Sequence, residues 1–244
     1  MGISLSTEEL IERRADIRPI SSGWGVFQIA IWMSLVFHLL IVMGSIGAHA
    51  VLGNIYHGEF DRIPEAAQGI LNGVFVGGFT LNALLNVLFA IGYVMFFVRA
   101  QHNALQITRE RDDRFTHAVW IWYLIPIGNL FVPANRVLDI WTAGRDWADG
   151  GRTNAYWLAV WWISWLVAGL FSAISSGAVT GIVFEGLEPL LEDKERLGAF
   201  LLTLKFHIVA AVLIVVSLVG IFIVSQQIAE DQSALTKVVP ARLR

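Results

Sequence analysis

The chain has 244 residues, of which 56% are apolar and only 15% are charged, and its formal net charge is -3. A soluble domain carries charge on about a quarter of its residues, so this composition is typical of a membrane protein. The chain has no cysteine, which excludes disulfides, thiolate metal sites, cysteine nucleophiles and cysteine-ligated iron–sulfur clusters.

Residues 1–23 are polar and are predicted to form an N-terminal cytoplasmic arm. A short amphipathic helix from Thr7 to Ala15 and a disordered tail are both compatible with this composition. The arm lacks an apolar core followed by a small-residue cleavage site, so no cleaved signal peptide is expected.

Four apolar stretches follow, each long enough to cross the roughly 30 Å hydrocarbon core of a bilayer. They are predicted at residues 24–52, 70–98, 156–184 and 199–224. The first two form a hairpin over residues 24–98 and the last two form a hairpin over residues 156–225, each closed by an acidic loop. The predicted fold class is therefore an all-α membrane protein with four transmembrane helices in two hairpins.

Residues 99–155 join the hairpins and contain one more apolar segment, residues 116–141. Its middle is interrupted by four residues that disfavour a straight helix: Pro126, Gly128, Asn129 and Pro133. Proline removes a helical hydrogen-bond donor and clashes with the preceding turn. Non-helical backbone at membrane depth survives only where protein or water covers it. We therefore predict that residues 116–141 form a re-entrant or interfacial pair of short helices.

The distribution of basic residues supports this topology. If residues 116–141 leave the membrane on the side they entered, 13 of the 17 Lys and Arg residues are cytoplasmic and four are outside. If the segment crosses fully, the split falls to about ten against seven, which the positive-inside rule disfavours. All ten tryptophans then lie in the cytoplasmic half, as an aromatic belt predicts. We expect a multi-pass protein of the bacterial inner (plasma) membrane with both termini cytoplasmic, including the tail 226–244.

Small and polar residues inside the spans indicate helix packing. Gly73, Gly77 and Gly78 in the second span, and a run of Gly, Ser, Ala and Thr over residues 169–181 in the third, have spacings that let helix backbones approach closely. Asn82 and Asn86 lie four residues apart on one helical face and need hydrogen-bond partners in lipid. We expect interhelical hydrogen bonds from them; the lining of a polar cavity is the alternative.

Histidines within the spans are candidates for function, because ionisable groups are rare in the membrane. Paired histidines on facing helices can ligate haem, and the depths of His49 and His207 make them the weak candidates for such a pair, ahead of His38. No histidines have the close spacing of a ligand motif. Neutral histidines that donate to a backbone carbonyl are the simpler interpretation, so we expect no metal and no cofactor.

The densest group of polar residues lies between the hairpins. It reads Arg99-Ala-x-x-Asn103, then Trp122-x-x-x-Pro126-x-x-Asn129-Leu-x-x-Pro133, then Asp139-x-Trp141. This block, with its flanking hydrophobic helices, resembles a family of bacterial multi-spanning membrane proteins known only as a domain of unknown function. The resemblance implies the architecture and brings no activity.

The candidate site for a lipid or a partner consists of polar and aromatic residues of this block: Arg99, Asn103, Trp122, Asn129, Arg136, Asp139 and Trp141. Arg136 and Asp139 can pair at i,i+3. One interpretation is that these groups only fold the segment. The other is that they hold an anionic headgroup, since basic pockets on the cytoplasmic side bind anionic lipids.

The sequence contains no hydrolase, kinase, P-loop or dinucleotide motif. The span interiors hold no acidic residue, which argues against a proton-relay transporter. We therefore expect a protein that is not an enzyme but an accessory or scaffold subunit of a larger membrane assembly. Its expected partners are membrane lipids and other membrane subunits or itself, and not nucleic acid. A lipid-binding or small-solute transport protein and a haem- or quinone-linked redox protein are the alternatives.

Overall fold

The computed structural model describes residues 17–60, 62–108, 132–147 and 155–237. Within these ranges every element is helical. The elements are α1 (Ser21–His57), α2 (Glu65–Asn72), a π-helical turn (Gly73–Gly77), α3 (Gly78–Thr108), α4 (Val132–Trp147), α5 (Tyr156–Glu185), α6 (Glu188–Leu191) and α7 (Lys194–Lys237). The all-α prediction is confirmed.

Four helical stretches of the described chain are long and apolar enough to cross a membrane. They are Ser21–His57, Ala67–Gln106, Tyr156–Ile182 and Lys194–Ala234. Only 22% of the most apolar window of the second stretch is buried within the chain, so most of that window is left to face lipid or another protein. The four predicted spans are therefore confirmed, and the protein is membrane-embedded.

The observed helices extend beyond the predicted apolar stretches. At 1.5 Å per residue, the 37 residues of α1 measure about 55 Å, which exceeds the hydrocarbon core by about 25 Å. Polar residues can therefore continue a helix outside the hydrocarbon. The clearest case is α7, which includes most of the residues assigned to the tail 226–244.

Backbone turns separate the helices of each hairpin. Gly58 and Gly186 have φ angles of 80° and 82°, a left-handed conformation that glycine adopts without steric cost and that commonly ends helices. Gly58 N–H donates to the Ile55 carbonyl at 3.0 Å and Gly186 N–H to the Ile182 carbonyl at 3.0 Å. Before α7, the Asp193 carboxylate accepts the first free backbone N–H groups of the helix at 2.9 and 3.1 Å.

The predicted re-entrant segment is described only in its second part. Residues 116–131 lie outside the described residues, as does the predicted arm helix from Thr7 to Ala15. Residues 132–141 are helical and belong to α4, whose 16 residues do not place it among the four candidate spans. Pro133 occupies the first turn of α4, where its missing donor has little cost. A short helix fits both the re-entrant and the interfacial prediction, and the path of the whole segment stays a prediction.

The chain divides into two compact units, and α1, α3, α5 and α7 contribute to both. The described residues of the first unit are 17–31, 89–108, 132–147, 155–160 and 220–237. Those of the second unit are 32–60, 62–88 and 161–219.

The core of the first unit is a cluster of aromatic rings between α1, α3 and α7. Phe27 of α1 stacks on Phe96 of α3 with ring centroids 5.7 Å apart, and Trp24 reaches Phe222 of α7 at 5.9 Å. Such pairs add about 0.5–1.5 kcal/mol each beyond the area they bury. The cluster therefore fixes the ends of three long helices against one another.

The core of the second unit is mainly aliphatic and includes one residue of the π-helical turn. Its buried residues are Ala48, Leu52, Leu71, Phe75, Ile182, Leu197, Phe200, Leu201 and Leu204. Gly78 N–H donates to the Gly73 carbonyl, five residues back, which inserts one extra residue into the turn. Phe75 within this turn is 1% exposed, and its ring meets Phe200 at 5.7 Å.

The π-helical turn also determines which glycine of this segment lies against another helix. A Cβ atom added to Gly73 or Gly77 would meet nothing within 4 Å, whereas one added to Gly78 would lie 2.8 Å from Ile41 Cδ1. The close approach predicted for these glycines is therefore found at Gly78, and Gly73 and Gly77 make no such contact within the described chain. The extra residue of the π-helical turn rotates the following helix by about 100°, so Gly78 faces α1 and Gly77 does not.

Candidate functional site

Asn103 is a buried link between α3 and the segment that precedes α1. Its side chain is 1% exposed. Its Oδ1 accepts the Arg18 backbone N–H at 2.9 Å, and its Nδ2 donates to the Arg18 carbonyl at 3.0 Å. The carboxamide thus satisfies both backbone groups of one residue, as a neighbouring strand would.

Gln232 of α7 completes this carboxamide cluster. Asn103 Nδ2 also donates to Gln232 Oε1 at 3.0 Å, and Gln232 Nε2 donates to the Ala100 carbonyl at 2.9 Å. Gln232 is 1% exposed. Buried polar groups are stable when they are hydrogen-bonded in this way. The cluster connects three segments of the first unit, which favours the folding role among the interpretations of Asn103.

Gln232 was not among the predicted site residues, because it lies in the predicted tail. A periodic signal was nevertheless present in the sequence. Ile221, Val224 and Ile228 are at most 1% exposed, and Gln232 continues their i, i+3, i+7 stripe by one further turn. The apolar face of the last span therefore ends on this glutamine.

The predicted charged residues form one hydrogen bond between helices and one ion pair within a helix. Arg99 is partly exposed, and its Nη1 donates to Ser22 Oγ in the first turn of α1. Arg136 and Asp139 form an ion pair within α4, with Nη1 and Oδ2 3.4 Å apart. That i,i+3 pairing is confirmed, but both side chains are solvent-accessible, so the pair contributes about 0–1 kcal/mol.

Trp141 lies inside the first unit and does not line a surface. It is 1% exposed, and its indole Nε1 is buried with no hydrogen-bond partner in the described part of the chain. One turn later, a Cβ atom on Gly144 would lie 3.5 Å from Asp231 Cβ and 3.8 Å from Gln232 Cγ. Helix α4 therefore packs against the last turns of α7. The two remaining candidates, Trp122 and Asn129, lie outside the described residues.

The histidines of the spans lie in the second unit. His38 is 7% exposed, and its Nδ1 is 2.7 Å from the Ser34 carbonyl, which is the backbone contact expected of a neutral histidine. His207 lies near His38, and His49 lies near Lys205. Among the described residues no three His, Asp or Glu side chains form a metal-binding group. Haem ligation by His49 and His207 stays a prediction.

Two asparagines of α3 behave differently from Asn103. Asn86 is exposed on the outer surface of the second unit. The buried Oδ1 of Asn82 has no hydrogen-bond partner in the described chain. The interhelical hydrogen bond expected from Asn82 Oδ1 is therefore not formed among these helices.

The small residues of α5 are exposed along one stripe. Gly169, Ala173 and Gly177 are exposed and Gly181 is half-buried, at a constant spacing of four residues. A Cβ atom on any of the three glycines would meet nothing within 4 Å. We call Gly169, Ala173, Gly177 and Gly181 the α5 stripe. Its three glycines form a shallow groove that no described helix of the chain fills. The exposed side chains of Leu170 and Ile174 lie beside it.

Comparison with known proteins gives a family and no activity. The family described as Domain of unknown function (DUF4328) matches residues 65–230, a range that runs from the start of α2 into α7 and includes the polar block between the hairpins. No curated protein and no solved structure matches the chain. The match confirms the predicted resemblance to a family known only as a domain of unknown function. This membrane protein therefore belongs to the DUF4328 family.

Proposed function

We propose that this protein is a non-enzymatic accessory or scaffold subunit of a larger membrane assembly. The observation that carries the proposal is the α5 stripe, which is exposed on an apolar helix and unfilled by the described chain. Small residues four apart let two membrane helices approach closely, so that van der Waals contacts hold them together. A second helix from another subunit fits this groove.

Contact with lipid alone does not explain a row of small residues on the surface of a helix. Glycine inside a helix costs about 0.5–1 kcal/mol relative to alanine, and lipid chains cover a leucine as well as a glycine. Ser176, next to Gly177, has its hydroxyl bonded to the Ala173 carbonyl at 3.1 Å. The stripe is therefore suited to close packing against a helix of a partner protein.

The variant Gly177→Leu tests this function. Nothing in the chain lies within 4 Å of an added Cβ at this position, so the variant should fold, while its side chain fills the groove. We expect the polypeptides that co-purify with the protein from native membranes in mild detergent to fall about tenfold, the equivalent of one well-packed contact of 1.4 kcal/mol.

The matched control is Ile174→Leu, which keeps the side-chain volume at a neighbouring position that is 52% exposed. It should co-purify with partners as the wild type does. Equal recovery of partners by Gly177→Leu and Ile174→Leu would contradict the proposal, as would a wild type that brings no polypeptide with it.

Binding of an anionic lipid is a second candidate function, supported by a different observation. Arg99 contacts Ser22 in the first turn of α1, and the exposed Arg18 is bonded through its backbone to Asn103, one turn after Arg99. Two basic side chains thus stand at one helix end, on the predicted cytoplasmic side. Each basic residue near an anionic surface contributes about 1 kcal/mol.

The variant Arg99→Ala tests this second candidate. We expect it to lower the anionic lipid that co-purifies with the protein, measured by mass spectrometry of extracted lipids. Arg136→Ala is the control, because Arg136 is already paired with Asp139. Unchanged lipid content in a folded Arg99→Ala protein would exclude this function.

A further inference from the structure

Asn86 places an exposed carboxamide within the apolar band of the second span. Its exposed large neighbours on α3 are all apolar: Phe79, Leu81, Leu84, Val87 and Ile91. At 1.5 Å per residue, Asn86 lies about 20 Å along the helix axis from Arg99 and about 31 Å from Glu65, the nearest charged residues on either side. With a hydrocarbon core of roughly 30 Å, the carboxamide is far from both headgroup layers.

This carboxamide needs a partner from outside the described chain. Thr80 of the same helix satisfies its hydroxyl on its own backbone, at 3.2 Å from the Val76 carbonyl. Asn86 is exposed and makes no such bond. Lipid chains offer neither donors nor acceptors, and a polar group without a hydrogen bond is costly there. A protein surface that offers both a hydrogen-bond donor and a hydrogen-bond acceptor to Asn86 removes this free-energy cost.

A second copy of this chain presents both. A carboxamide carries a carbonyl acceptor and an amide donor. Two copies related by a two-fold axis along the membrane normal place equivalent side chains opposite each other, so each Asn86 can donate to the other. A single polar asparagine in an apolar helix seam also favours a dimer in one register.

The residues that flank Asn86 permit this contact. Ala83 and Ala90 are both exposed and lie three residues before and four residues after Asn86, on the same helical face. Their small side chains allow a second α3 to approach, and their spacing of seven residues is the repeat of two helices packed side by side.

We propose that Ala83, Asn86 and Ala90 form a parallel α3–α3 interface between two copies of this chain. This inference rests on the proposed role in a membrane assembly. It identifies one contact of that assembly as a contact between two copies of the protein. It uses a different surface from the α5 stripe, so the two can be tested separately.

Cysteine cross-linking tests the geometry, because the chain has no cysteine of its own. Single variants Ala83→Cys and Ala90→Cys, oxidised with copper phenanthroline in native membranes, should each give a disulfide-linked dimer. Leu84→Cys is the control: it is 63% exposed but lies about 200° around the helix from Asn86, so it should give little dimer. Equal cross-linking at all three positions, or at none, would overturn the interface.

Energy transfer between labelled copies in phosphatidylethanolamine–phosphatidylglycerol vesicles tests the role of the carboxamide. As lipid dilutes the protein, Asn86→Leu should raise the dimer dissociation constant about tenfold, the effect of one or two interhelical hydrogen bonds. Asn86→Gln, which keeps the carboxamide, and Thr80→Val should both dimerise as the wild type does. A wild type that is monomeric at every dilution, or an unchanged Asn86→Leu, would overturn the proposal.

A photo-cross-linking residue at position 86 separates this inference from the proposed function. Capture of a second copy of the chain supports the interface. Capture of a different polypeptide overturns the interface between copies but leaves the accessory role intact. Capture of lipid alone at position 86, with lipid alone at position 177, overturns both.

Discussion

Asparagine has two different roles in this membrane protein, depending on what surrounds its carboxamide. Asn103 is buried and fully bonded to Arg18 and Gln232, whereas Asn86 is exposed on a surface that is otherwise apolar. The two side chains are chemically identical and differ only in their surroundings. The buried, hydrogen-bonded carboxamide of Asn103 stabilises the fold, whereas the exposed carboxamide of Asn86 indicates a contact with another molecule.

The variant Asn103→Ala should destabilise the protein. It leaves the backbone N–H and carbonyl of Arg18 and the side-chain Oε1 of Gln232 without their hydrogen-bond partner. An unsatisfied buried group costs about 1–3 kcal/mol. We expect the free energy of unfolding in mixed micelles to fall by about 3 kcal/mol. Gln226→Ala is the control, because Gln226 makes only an exposed hydrogen bond to Glu230 and should change stability by less than about 0.5 kcal/mol. Equal effects of the two variants would contradict the structural role of Asn103.

Two glycines set the distance between α1 and α3 in the first unit. A Cβ atom on Gly23 would lie 2.8 Å from the Met95 carbonyl oxygen, and one on Gly92 would lie 2.8 Å from Phe27 Cα. These neighbours are backbone atoms, which cannot rotate away. The aromatic core between the helices therefore depends on the absence of side chains at both positions.

The pair Gly23→Ala and Gly25→Ala tests this contact within one helix. Gly23→Ala should lower the free energy of unfolding by about 1–3 kcal/mol, the usual cost of overpacking. A Cβ atom on Gly25 would meet nothing within 4 Å, so Gly25→Ala should be neutral or stabilising, since alanine favours the helix. Thermal unfolding in detergent, followed by circular dichroism, distinguishes the two. A Gly23→Ala protein as stable as Gly25→Ala would show that the helices are not this close.

Hydropathy identified the four spans, because length and apolar content alone decide whether a helix can cross a bilayer. It could not locate the π-helical turn at Gly73–Gly77, since one extra residue leaves the hydropathy unchanged and only rotates the face. It also could not show that the polar residues after Val224 remain helical in α7. Their helical state depends on packing against other segments, as Gln232 packs against Ala100 and Asn103.

The candidate site was predicted from residue types, and the structure separates those residues by partner. The i,i+3 pair of Arg136 and Asp139 could be predicted, because both residues lie on one short helix. The bond between Arg99 and Ser22 and the cluster of Asn103 and Gln232 could not, because these partners are 77 and 129 residues apart. Long-range pairs of this kind depend on which helices become neighbours.

The orientation of the protein in the membrane is predicted from the distribution of its basic residues. A reporter fused after Asp149 should read cytoplasmic, because residues 116–141 are predicted to return to the side they entered. A reporter fused at Arg62, in the first acidic loop, should read periplasmic and serves as the control. A periplasmic signal after Asp149 would contradict the topology and would move the second hairpin to the opposite orientation.

We propose that this protein acts as part of a membrane assembly, and native mass spectrometry detects such an assembly by its mass. The protein is extracted from its own membranes in a mild detergent and weighed with its bound partners. We expect a complex heavier than the 27.1 kDa chain by at least one polypeptide, either a second copy or a different subunit. A bare chain of 27.1 kDa, or one that carries only lipid, would contradict it.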